Sequence, residues 1–259
     1  MGRETRITSK NNPIISHYRE LCQKKRSRRT EKLFPAEGLR LVREAVQANA
    51  AGDILLTETA AERYGEEFPD AWRISDALGD YISETEHPQG VFAVCRIPER
   101  PIELSADSRC VVLHELQDPG NMGMILRTAD ALGVDAVITC KSCDVYSPKV
   151  VRATMGAIFR MPVYEFADAA QVSDFLRGRS ITSYAAVLHK DALPVTAMNI
   201  GKGCAVWIGN EGNGLSEDAV SVCEHKIIIP MQGNAESLNA AMAAGILMWE
   251  VMKNGSISS

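Results

Sequence analysis

From residue 109 to the C-terminal region, apolar runs and helix-period stretches alternate with little interruption. "CVVLHEL", "DAVITC", "MPVYEF", "ITSYAAVL", "CAVWIG" and "HKIIIP" are short, rich in β-branched and aromatic residues and bounded by turn residues, so they predict strands. Helical patterns fall between most of them, at 122–132, 147–157, 167–177 and 216–223, and "ESLNAAMAAGILMWEVMK" closes the series. Strands alternating with helices predict an α/β fold: a parallel sheet covered on both faces, with ligands bound beyond the carboxyl ends of its strands. The earlier half reads differently. "IISHYRELCQKKRSRRTEKLFPAEGLRLVREAVQANA" predicts two helical stretches around Phe34 and Pro35, followed by the strand-like "DILLT" and "GVFAVCRIP". Residues 98–108, "PERPIELSADS", hold two prolines and few large apolar residues, the composition of a linker. The expected division is a domain over 1–98, a linker over 99–108 and a domain over 109–259.

Composition narrows the class. Of 259 residues, 46% are hydrophobic and 24% charged, enough for a full core in one or two domains. No run of about 18 apolar residues predicts a membrane span, and "MGRETRITSKNN" lacks the apolar core of a signal peptide. Seven scattered cysteines suit a reducing, cytoplasmic setting better than a disulfide framework. The net charge of −5 is uneven: residues 1–43 carry 12 Lys/Arg against 4 Asp/Glu. The densest stretch, "KKRSRR", offers Lys24, Lys25, Arg26, Arg28 and Arg29 as candidate phosphate contacts, since such runs bind nucleic-acid backbones by releasing counterions. A solvated helix face would read the same way.

Candidate chemistry gathers at three predicted strand ends. "DPGNMGMILRTADALG" follows "CVVLHEL" and predicts a helix whose apolar stripe is Met122, Ile125, Leu126, Ala129 and Leu132, with Gly133 placed to end it. Arg127 lies off that stripe, on the side of Gly120 and Gly123, and its side chain is expected to lean back over the turn. "WIGNEGNGLS" brings three glycines, two asparagines and Glu211 after a second strand. "IIIPMQGNAESLNAA" stops a third strand at Pro230 and opens a helix near Ser237, which a plain N-cap would also explain. A Gly-rich turn alone is weak evidence, but three at the ligand-binding edge predict a site. A dinucleotide site fits poorly: residues 120–123 give G-x-x-G where the fingerprint needs G-x-G-x-x-G, although Asp144 is suitably placed as its acid.

These three stretches resemble the motifs of the SpoU (TrmH-type) RNA ribose 2′-O-methyltransferases of the SPOUT class. Asn121, Gly123 and Arg127 match the first, N-x-G-x-x-x-R; 209–215 matches the second, G-N-E-G-x-G-L; Ile229, Pro230, Met231, Ser237, Leu238 and Asn239 match the third, I-P-M followed by S-L-N. "FPAEGLRLVREA" and "HPQGVFAVCRIP" are similar to that family's N-terminal substrate-binding domain. The resemblance implies a smaller α/β RNA-binding domain followed by a parallel-sheet methyltransferase domain closed by a deep trefoil knot. It also implies S-adenosylmethionine as cofactor, a homodimer whose paired chains build the site, and structured RNA as substrate, rRNA ahead of tRNA. Gly209, Asn210, Ile229, Met231 and Leu238 would hold the cofactor. Arg127, Asn121, Glu211, Ser237 and Asn239 would serve the substrate and the chemistry, with Glu211 also open to a structural role.

Methyl transfer from a sulfonium to a hydroxyl needs no metal, only alignment, a donor for the developing oxyanion and exclusion of water. A guanidinium stays protonated, so Arg127 reads as a hydrogen-bond donor to the 2′-oxygen or a neighbouring phosphate, not as a base. A non-catalytic RNA-binding or assembly protein of the same fold is the competing reading. Cys140 and Cys143 form a C-x-x-C without a second pair, and His114–Glu115 lacks the second histidine of a zinc motif, so neither predicts a metal. The closing helix is apolar on nearly every face, which predicts either complete burial or packing against a second copy.

Overall fold

The computed structural model describes residues 6–198, 203–233 and 237–253. The chain forms two compact units, one from the chain up to Glu99 together with Asp144–Arg160, the other from Arg100–Cys143 and the chain from Met161 onward.

The first unit contains β1 (Arg6–Ile7), α1 (Pro13–Gln23), α2 (Lys25–Glu31), β2 (Leu33–Glu37), α3 (Leu39–Gln47), β3 (Ala51–Thr57), α4 (Glu58–Tyr64), β4 (Trp72–Ile74), α5 (Asp76–Ile82) and β5 (Val91–Arg96). Its five strands lie in the order β1-β4-β3-β5-β2, with β5 antiparallel to both neighbours. The expected break around Phe34 and Pro35 is instead the strand β2. Proline is tolerated because β2 is an edge, where a missing amide leaves no ladder bond unmade on the outer side. Tyr18, Leu21, Leu55, Ile74 and Phe92 fill the core, with the Tyr18 and Phe92 rings edge to face at 5.7 Å.

Linker composition assigned 144–160 to the later domain, yet this stretch, including α7 (Pro148–Ala153), packs within the first unit. Tyr146 and Phe159 stack about the buried Phe34 at 5.1 and 5.6 Å. Arg28, only 4% exposed, donates through Nε to Asp144 Oδ2 at 2.9 Å and through Nη1 to the Leu21 and Cys22 carbonyls at the end of α1. A buried guanidinium survives only when its donors are spent in this way.

The second unit contains β6 (Arg109–His114), α6 (Pro119–Leu132), β7 (Ala136–Cys140), β8 (Val163–Phe166), α8 (Ala169–Arg177), β9 (Thr182–Ala186), β10 (Leu193–Pro194), β11 (Cys204–Ile208), α9 (Glu217–Ser221), β12 (His225–Ile228) and α10 (Ala240–Met252). Its seven strands are parallel, in the order β10-β12-β9-β11-β6-β7-β8. Val112 lies in register with Trp207 on one side and Ile138 on the other, so β6, β7 and β11 end together. Chain direction across the sheet switches at β6, and open parallel sheets form crevices at such a switch. Leu104, in the expected linker, packs against the core on one face. α6 buries Met122, Ile125, Leu126 and Ala129 and ends at Gly133, as the stripe predicts. α10 begins at Ala240 under an Asn239 cap, not at Ser237.

Candidate active site

Glu211 stands in the loop after β11 and reaches the start of α6. Its Oε1 accepts from the Asp118 amide at 2.9 Å and Asn121 Nδ2 at 3.1 Å, while Oε2 accepts from the Gln117 amide at 3.2 Å. Asn121 Oδ1 in turn accepts from Asn239 Nδ2 at 3.0 Å, and Asn239 Oδ1 caps α10 by accepting from the Ala241 and Met242 amides. One unbroken chain of hydrogen bonds thus ties all three motif stretches together. Burial pushes the Glu211 carboxyl upward, but the Asp118, Asn121 and Gln117 donors outweigh it and hold the group below its usual range. Glu211 is therefore a carboxylate at neutral pH whose oxygens are occupied by donors, a positioning arrangement. Asp118, which sequence reasoning passed over, caps α6 by accepting from the Asn121 amide at 2.8 Å. Its signal was present: an Asp directly before Pro at a helix start.

The loop after β11 is drawn tight. Asn210 and Gly214 exchange backbone bonds of 2.9 Å, Asn210 Oδ1 accepts from the Gly212 and Asn213 amides, and Asn210 Nδ2 donates to the Glu115 carbonyl at 3.0 Å. Gly209 cannot be larger: a Cβ there would lie 2.1 Å from the Gly214 carbonyl carbon. Beside this loop opens a cavity of about 500 Å³. Gly209, Asn210, Ile229, Met231 and Leu238, the predicted cofactor residues, all line it, as do Glu211 and Ser237. Its apolar walls also include Ile208, Ile227, Ala243 and Leu247, which sequence reasoning missed; Ala243 and Leu247 lie one helical turn apart on α10.

Arg127 is exposed on α6, outside the cavity lining, with no hydrogen bond or ion pair among the described residues. Ser237 is exposed, and Asn239 rather than Ser237 caps α10. Within the basic run, Lys25, Arg26 and Arg29 are exposed and Lys24 pairs with Glu20 at 3.0 Å. Arg28 is a correction: the Asp144 carboxylate and two carbonyls consume its donors, so it offers no surface charge. Burial pushes the Cys140 thiol up to about 11, leaving it protonated at neutral pH. No group of three metal-ligating side chains occurs among the described residues.

Residues 108–249 match the profile of the SpoU rRNA methylase family, and residues 12–93 match an MRM3-like substrate-binding domain. The chain is 31% identical, over 95% of its length and 98% of the relative's, to 23S rRNA (guanosine(2553)-2′-O)-methyltransferase RlmP of Bacillus subtilis. It is 33% identical, over 69% of its length and 65% of the relative's, to 23S rRNA (uridine(2479)-2′-O)-methyltransferase of Streptomyces viridochromogenes. Among solved structures, an AdoMet-bound rRNA methyltransferase from Sinorhizobium meliloti superposes with a TM-score of 0.84 at 28% identity, covering 96% of this chain and 97% of that one. The SpoU methyltransferase AviRb of Streptomyces viridochromogenes, in complex with AdoMet, does so with a TM-score of 0.84 at 27% identity, over 94% and 98%. With its three motif stretches joined at one sheet edge and the family profile spanning more than half of its length, this chain belongs to the SpoU rRNA methylase family.

Proposed function

We propose that this protein transfers a methyl group from S-adenosylmethionine to a ribose 2′-hydroxyl of rRNA, with 23S rRNA as the substrate its relatives point to. The observation that carries the reading is the cavity that gathers Gly209, Asn210, Ile229, Met231 and Leu238, joined through Glu211 to Asn121 and Asn239. The cavity falls within the size range of small-molecule sites, about 300–1,000 Å³. Its apolar walls suit an adenine ring and its loop backbone suits polar ends, so the residues present fit the cofactor. S-adenosylmethionine, when bound, supplies an electrophilic methyl group on a sulfonium.

The rest is the work of this chain's own residues. The Gly209–Gly214 approach shapes the pocket wall, and Asn239 fixes the first turn of α10 beside it. Glu211 and Asn121 hold the start of α6, the helix that carries Arg127. The guanidinium, free of partners among the described residues, serves as a donor to the 2′-oxygen or the adjacent phosphate. Lys25, Arg26 and Arg29 supply exposed charge for the RNA backbone.

The same reading includes a trefoil knot, supported by β11 lying between β6 and β9, two strands laid down earlier in the chain. It includes a homodimer, supported by the exposed Met124 on α6 and Met242 and Trp249 on α10, apolar side chains 51–57% accessible on packed neighbouring helices. A cytoplasmic setting accords with seven free cysteines. Tritiated methyl transfer to unmodified rRNA and tRNA, with mapping of the blocked 2′-position, tests the activity. Label in a single rRNA ribose is the expected result; S-adenosylmethionine binding without transfer to any RNA would overturn it. Sedimentation at micromolar concentration tests the dimer, which a monomeric mass would refute.

A further inference from the structure

The first unit contains a second cavity, also of about 500 Å³, between α4, α5 and the loop before β5. Its floor is made from Thr57, Ala60 and Gly90, all buried. Gly90 has φ +71°, and a Cβ there would meet Thr57 Oγ1 at 2.3 Å, so the loop backbone lies directly against α4. One wall is fixed: the Thr59 hydroxyl and amide donate to Asp76 at 3.0 and 3.2 Å. Burial pushes the Asp76 carboxyl up, but the donors of Thr59 and Thr57 outweigh it and the group is held below its usual range, so it stays an acceptor.

Among the described residues, two charged groups of the lining are uncommitted and one amide is half spent. Arg63 on α4 and Asp80 on α5 line the cavity, and neither has a hydrogen bond or ion pair among the described residues. Gln89 spends its Oε1 on the Leu39 amide at 2.9 Å, which leaves its NH₂ group to donate. Tyr64 adds an aromatic ring to the lining. The cavity thus offers cationic and amide donors, carboxylate acceptors and a flat apolar surface. Two carboxylates disfavour a phosphate, and no third ligand makes the pair a metal site among the described residues. A neutral, planar ligand with both donors and acceptors on its edge satisfies the set. Guanine does so best: its O6/N7 edge accepts from arginine, and its N1/N2 edge donates to a carboxylate.

We propose that this cleft receives an unstacked guanine base of the RNA, with Arg63 and Asp80 reading its edges. Splayed bases held on aromatic rings are how proteins read single-stranded RNA. The proposal rests on the RNA methyltransferase reading above. The same chemistry would admit a free guanine nucleotide, so the experiment separates the two sources.

Full-length Arg63→Gln and Asp80→Asn are assayed for methyl transfer, with melting temperature as a check on folding, while guanosine 5′-monophosphate is titrated by saturation-transfer NMR against adenosine monophosphate and inorganic phosphate. The KM for RNA should rise about tenfold in each variant with kcat within about twofold, the mark of lost uniform binding. Guanosine monophosphate alone should give a saturable signal, lost in both variants. An unchanged KM overturns the RNA assignment even if the nucleotide binds, and would leave a free-nucleotide site. Equal signals from adenosine and guanosine monophosphates overturn the choice of guanine. If the wild-type chain methylates no RNA, the methyltransferase reading fails instead, and the nucleotide titration still decides the cleft.

Discussion

Asn121 is the joint between the three motif stretches, so Asn121→Ala tests the architecture of the site. The side chain is 8% exposed and makes two bonds, one donated to the Glu211 carboxylate at 3.1 Å and one accepted from Asn239 at 3.0 Å. A bond to a charged partner contributes about 1.5–3 kcal/mol and a neutral amide pair about 0.5–1.5. Glu211 is exposed and can rehydrate, which places the expected loss in the lower part of the sum, about 2–3 kcal/mol. For a chain of this size that corresponds to a fall in melting temperature of roughly 4–12 °C. Asn239→Ser keeps a hydroxyl able to cap α10 but cannot span to Asn121, so it should cost about 1 kcal/mol. The two variants share one bond, and the double variant should fall short of their sum by about 1 kcal/mol. Calorimetric melts of the four proteins give the cycle. Strict additivity, or a melting temperature for Asn121→Ala within about 1 °C of wild type, would show that the hydrogen-bonded chain carries no stability.

Three further outcomes follow from the same geometry. Arg127→Ala should leave melting temperature and S-adenosylmethionine affinity unchanged, since Arg127 has no partner among the described residues and lies outside the cavity lining, while turnover falls about a hundredfold or more; Arg127→Lys should rescue little. Turnover of Arg127→Ala within a few-fold of wild type would make it a surface residue. Asp144→Ala strands the buried Arg28 charge and should cost about 3–5 kcal/mol by denaturant titration, whereas Lys25→Ala and Arg26→Ala should only flatten the salt dependence of RNA binding. Glu211 has a depressed folded-state pKa, so its stabilisation is fully present above its unfolded value, near pH ~4.3, and is lost as pH falls through the folded value. The melting-temperature gap between wild type and Glu211→Gln should therefore be constant near neutrality and shrink on acidification below that point; a gap that ignores pH would show that Glu211 is not held as a carboxylate.

Much of the site was legible in the chain because its signals are local. The strands read as "CVVLHEL" and "CAVWIG" are present but end at His114 and Ile208, two and one residues early, while the stripe of α6 and its stop at Gly133 follow from spacing within a few residues. Gly209, Asn210, Ile229, Met231 and Leu238, singled out as motif matches, each line the cavity. Asn239, not Ser237, proved to be the cap of α10, because either side chain can cap a helix and only the backbone path decides between them. The Glu211–Asn121–Asn239 connection was invisible: its members are 90 and 118 positions apart, and nothing in spacing says which oxygen takes which donor.

The sequence by itself determined the alternation of strands and helices, the parallel sheet and the three stretches that meet at its edge, because side-chain periodicity and turn chemistry act over a few residues. Tertiary structure alone decided which polar groups are spent and which are left for a ligand. Arg26 and Arg28 look alike in "KKRSRR", yet Arg28 is buried on a carboxylate 116 positions away while Arg26 remains exposed. The same long-range packing puts 144–160 into the first unit and leaves Arg63 and Asp80, among the described residues, uncommitted in its cleft. A charge keeps its place in water or leaves it according to the partner that folding brings, and that partner lies beyond the reach of any local pattern.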